Sequence, residues 1–174
     1  MLVVTRLLTA PYTGKERIMS AQNKFFKKLA HKNSKKAVAN NLHDDIEVFR
    51  KETLRLLEIV EKWFRDTPIH CNRWENSLTE HIAPEVIYQI PGMTLINEEK
   101  HLHITPLGMY CLGGVKGRLL VSLHMNGEEK NLFECRLNDS RADFDEWGLI
   151  DCANKKKIMP LREDTFFDYI FEFA

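Results

Sequence analysis

A chain of 174 residues that is 44% hydrophobic, with 10 Phe and 8 Gly, is long and apolar enough for one domain with a core, which excludes a low-complexity or wholly disordered protein. Lys+Arg and Asp+Glu both number 25, so the formal charge is zero and the total singles out no class of charged partner. Cys71, Cys111, Cys135 and Cys152 are widely spaced without a C-x-x-C, which argues against a disulfide framework and places the chain in a reducing, cytoplasmic setting.

Residues 1–18 read as a possible non-native or disordered extension. Met19-Ser-Ala-Gln-Asn-Lys is a good start for a cytosolic chain, and Lys15-Glu16 can be encoded by a purine-rich ribosome-binding sequence just upstream of the Met19 codon. The expectation is a bacterial protein whose translation begins at Met19. The leading apolar stretch is short and interrupted by Arg6, unlike a signal peptide, and no run approaches the roughly 20 apolar residues that span a bilayer.

Charge is sorted along the chain. From Met1 to Leu42 there are nine basic residues and a single acid, Glu16, a local charge of +8, so the remainder carries −8. Residues 19–42 form a basic arm. Within it Ser20 can cap a short helix to about Ala30, with Phe25, Phe26 and Leu29 on its apolar side, while His31–Asn41 reads as a polar connector or a weak helical turn. The lysines Lys24, Lys27, Lys28, Lys32, Lys35 and Lys36 are candidate phosphate contacts, or else a solvated helix face.

Residues 43–174 predict an α+β domain. A long amphipathic helix spans about 44–65, opened by Asp44 and Glu47 at a capping-box spacing. Ile46, Phe49, Thr53, Leu56, Leu57, Val60, Trp63 and Phe64 recur at steps of three and four, which marks one buried face. Leu54 and Ile59 widen the stripe and predict cover on more than one side. Pro68 ends the helix. Ile69–Pro91 reads as a helical turn or two broken at Pro84. From Gly92 the period changes to two, with strands at Met93–Ile96 and Leu102–Ile104 and a continuation at Met109–Leu112.

The clearest hairpin pairs Arg118–Met125 with Asn131–Asn138 across a five-residue loop, Leu119 facing Leu137 and Val121 facing Cys135. Another joins Trp147–Asp151 to 156–160. A short helix at 163–173, rich in Phe, must dock on the sheet or on a partner. The whole is a single antiparallel sheet of five or six strands with helices at both ends of the chain.

No arrangement of residues carries a recognised chemistry. His101-x-His103 lacks third and fourth ligands at suitable spacing, so no metal is expected. His70-Cys71 lacks an identifiable base, and Glu134-x-Arg136 places arginine where a nuclease strand needs a lysine. Gly113–Gly117 has no Gly-Lys-Ser/Thr ending. No cofactor is expected, and a small-molecule substrate is disfavoured.

The segment Asp139, Asp143, Phe144, Asp145, Glu146 and Trp147 is an acidic loop with aromatic anchors, the composition of a protein interface that attracts a basic partner. The reading is a non-catalytic binding protein, concretely an immunity or antitoxin protein against a basic, nuclease-like toxin. The alternative is a nucleic-acid-binding accessory protein using the lysine arm. A third is an enzyme whose residues are dispersed, in which His103, His124 or Glu134 would converge in a pocket.

Overall fold

The computed structural model describes residues 21–110, 114–155 and 157–174. It divides into two compact units between Val38 and Ala39. Helix α1 runs Ala21–Trp63, 43 residues. The expected break before Asp44 is absent because no Gly or Pro interrupts 21–63. The Asn-rich stretch costs helix propensity without breaking the hydrogen-bond ladder, so Asp44 and Glu47 lie inside a helix rather than at its start.

In the second unit, Leu42, Ile46, Phe49, Thr53, Leu56, Leu57, Val60 and Phe64 are buried. Their steps of three and four make one face. Of the two residues that predicted wider cover, Leu54 is half-buried and Ile59 is exposed, as is Val48. After Trp63 the chain tightens into a turn, Phe64 N–H bonding Glu61 O at 3.3 Å and Thr67 Oγ1 donating to Phe64 O at 2.7 Å, before Pro68.

The sheet has seven antiparallel strands in sequential order, one or two more than expected. They are β1 His70–Glu80, β2 Ala83–Asn97, β3 Lys100–Gly108, β4 Gly117–Met125, β5 Glu128–Leu137, β6 Trp147–Asp151 and β7 Met159–Pro160. The strand not foreseen, β1, and the first half of β2 come from 69–91, which is a β-ribbon and not helical turns. Its buried residues switch from even positions (Tyr88, Ile90) to odd ones (Met93, Leu95) across Pro91-Gly92, where the ring of Trp74 lies on Gly92 and leaves no room for a Cβ. β3 ends at Gly108 rather than running on through Met109.

The β4–β5 register also differs from the expectation. The turn is the two residues Asn126-Gly127, both with positive φ (56° and 79°), the pair that the tight right-twisted hairpin favours. Continued unchanged, that register would set Glu134 opposite Leu119. A bulge at Leu132 adds one residue, so that Phe133 faces Val121, Cys135 faces Leu119 and Leu137 faces Gly117. The apolar row is restored two residues from the predicted pairing.

One sheet face receives α1. The Phe49 ring lies on Gly117, where a Cβ would stand 2.3 Å from it. Arg50 reaches Glu75 at 2.7 Å and Gln89 O at 2.7 Å, and Arg73 pairs with Glu61 at 2.5 Å, tying the helix to the β1–β2 ribbon. Helix α2, Glu163–Tyr169, and a 3-10 turn at Phe171–Phe173 follow. Phe166 meets Trp63 (ring centroids 5.2 Å) and Phe133 (5.8 Å), so the C-terminal aromatics dock on both α1 and the sheet. Each fully buried ring of this kind contributes about 1.5–3 kcal/mol. The tips of two hairpins hold the last turn: Asn97 Nδ2 donates to Phe173 O at 2.8 Å, Lys100 Nζ to Glu172 O at 3.0 Å and to Ala174 O, and Lys130 pairs with Glu172 at 2.7 Å. No described helix is long and apolar enough to cross a membrane.

Candidate functional site

The β5–β6 connection, 138–146, carries the acidic segment. Asp139 accepts from Arg141 N–H at 3.0 Å, Arg141 Nη2 at 2.7 Å and Arg136 Nη1 at 3.3 Å, and its side chain is only 1% exposed. The Arg141 side-chain hydrogen bonds hold its carboxyl at about 2, outweighing the cost of burial. This carboxylate clamps its own loop rather than offering itself to a partner. Trp147 is likewise buried in the core at the start of β6, opposite Leu137. Phe144 is half-buried against Gly148. Of the six predicted interface residues, Asp143, Asp145 and Glu146 are exposed.

Asp145 and Glu146 rim a groove of about 410 Å³ whose opposite wall is α1, with Glu52, Arg55, Leu56, Ile59 and Trp63, and whose floor is Leu137, Trp147 and Leu161. Glu52 pairs with Arg55 at 3.1 Å. The lining therefore carries three carboxylates and one arginine around an apolar floor, and Ile59, off the core stripe, opens into it. The sequence separates Ile59 from Trp147 by a helix end and five strands, so their meeting was not readable. The one signal was an isoleucine outside the buried face.

The opposite sheet face is polar. Trp74 Nε1 donates to Thr94 Oγ1 at 3.1 Å, and Thr94 Oγ1 lies 3.0 Å from His103 Nδ1. The rings of His103 and His124 meet edge-to-face at 4.5 Å, those of His101 and His103 at 6.2 Å, and His124 Nε2 is 3.1 Å from Glu129. Burial, then the neighbouring His124 and His101, lower the His103 pKa. Hydrogen bonds from His124 and Ser122 lower that of Glu129.

The structure thus brings together His103 and His124, but not Glu134. That carboxylate is pinned between Arg136 at 2.9 Å and Arg118 at 3.3 Å. Burial raises its pKa, and the two arginines more than offset this. Among the described residues no three or more His, Cys, Asp or Glu are placed to hold a metal ion. Burial raises the thiol pKa of Cys71, Cys135 and Cys152, which is opposite to what activates a nucleophile. Cys71 borders a hollow of about 480 Å³ beside Glu61, itself engaged by Arg73.

In the first unit Lys24 and Lys28 are exposed on α1. The side chains of Lys27, Lys32, Lys35 and Lys36 lie outside the described residues, as do residues 1–18. Comparison with protein-family models, with curated proteins and with solved structures finds no match.

Proposed function

We propose that this protein binds and neutralises a basic protein partner through the groove between α1 and the 139–147 loop, in the manner of a bacterial immunity or antitoxin protein acting on a nuclease-like toxin. The observation that carries the reading is the groove's composition. An exposed isoleucine and an apolar floor are ringed by Glu52, Asp145 and Glu146 with Arg55 as the one opposing charge. Apolar anchors supply affinity, and an acidic rim steers in a cationic surface and disfavours an anionic one. The body's excess of acids, −8 beyond Leu42, extends that bias over the surface.

A photo-crosslinking residue at Ile59, compared with one at His101 on the polar face, tests the proposal in the native cell. The expected result is a cationic protein captured from position 59 and not from 101. Its capture is lost in D145K/E146K, and its activity is inhibited stoichiometrically by the purified wild-type chain. Capture from position 101 alone, or a captured protein whose activity is unaffected, counts against it.

A further inference from the structure

We infer that the helical segment 21–38 docks flat on an anionic lipid surface. Phe25 and Phe26 are 63% and 54% exposed, their rings packed only edge-to-face on each other at 5.7 Å among the described aromatic contacts. Exposed Lys24 and Lys28 flank them. At about 100° per residue, positions 25, 26, 29, 30 and 37, which are Phe, Phe, Leu, Ala and Ala, fall within roughly 140° of the helix circumference. Lysine positions 24, 27, 28, 32 and 35 occupy the remainder; Lys36, near the end of the segment, falls inside the apolar arc, so the sorting is sharpest over 23–32. No acidic residue occurs between Glu16 and Asp44, so these charges meet no local opposition.

An aromatic arc backed by a lysine arc is the pattern of a helix that lies in the headgroup region with its apolar side turned toward the acyl chains. It lies on the surface and does not cross, since no described helix qualifies as a span. Both faces are then used. Each lysine near an anionic surface adds roughly 1 kcal/mol, about fivefold in affinity, and the two rings leave water. A nucleic acid gripped by its phosphates uses the lysines and leaves an adjacent pair of phenylalanines on one helix flank in solvent, which is why lipid is the favoured occupant.

Co-sedimentation of the full chain with vesicles decides the matter. Vesicles of phosphatidylglycerol mixed with phosphatidylcholine should carry the protein down, pure phosphatidylcholine vesicles should not, and added salt should weaken the binding. F25S/F26S, which touches none of the buried core, should lower vesicle affinity at least about tenfold with an unchanged circular dichroism spectrum. K24Q/K28Q should lower it roughly 25-fold. Equal binding to both vesicle types, full binding by F25S/F26S, or salt-sensitive binding to DNA or RNA oligonucleotides with no vesicle binding would each overturn the inference.

Discussion

Asp139 looked in the sequence like one acid among several in a solvated loop. Its environment makes it a structural anchor: a carboxylate 1% exposed, bonded by Arg136, Arg141 and a backbone N–H. Because its folded pKa, about 2, lies below the ordinary Asp value of 3.8, its contribution to stability is complete above that ordinary value and is lost as pH falls toward 2. D139N should therefore lower stability by about 2 kcal/mol near neutral pH. The gap from wild type should close between about pH 4 and 2, measured by urea denaturation across that range. The partners were near in sequence, so Asp139-x-Arg141 was in principle readable. What hid it was that exposure depends on where β5 ends. Trp147 was misread although the strand it opens was predicted at 147–151: after three acids it reads as an interface anchor, and which face of the strand it takes is fixed only by its pairing with Leu137. The convergence of His103 and His124 required the β3–β4 register, which alternation alone does not supply.

Among elements, the long helix and the β4–β5 hairpin were the most legible, because each repeats its apolar period many times. The β1–β2 ribbon was illegible. β1 is an edge strand whose inner positions Trp74, Asn76, Leu78 and Glu80 include two polar residues, so its alternation of burial leaves no apolar alternation in the sequence, and Pro84 and Pro91 in β2 read as breakers although they sit within the strand. The hairpin register was missed by two residues because a bulge cannot be inferred from composition. Only the strict demand of Asn126-Gly127 for a two-residue turn hinted that the loop was shorter than five. The helix-to-sheet contact rests on a glycine that the sequence offered only as a turn signal. G117A would drive a methyl into the Phe49 ring, and the expected loss is about 1–3 kcal/mol. Chemical denaturation measures it, and F49L in the same chain should recover part of the loss by making room for the methyl.

On the scale of the whole molecule, the described core lies entirely within Leu42–Phe173. The α+β class and the single antiparallel sheet were readable from the change of period, and the charge sorting from simple counting. The groove was not, since it needs the helix wall and the 139–147 loop side by side. A chain beginning at Ala39 should unfold within a few degrees of the full protein by thermal circular dichroism, because it loses no residue of that core. Asp44, Asp45 and Glu47 then stand in the first turns of the shortened helix, where negative charge is favourable. The same truncation should abolish sedimentation with anionic vesicles while leaving groove binding intact, which separates the two activities.

The sequential neighbour order of the seven strands has a kinetic consequence. Three of the connections are two residues long and none exceeds nine, so no strand must wait for one made much later, and the loop-closure entropy of the sheet pairings is small. A polypeptide leaving the ribosome can therefore add strands to the ribbon in the order in which they emerge. The aromatic cap of Phe166 and Phe173 over Phe64 and Phe133 is the exception, since it joins residues about a hundred positions from the helix that they meet.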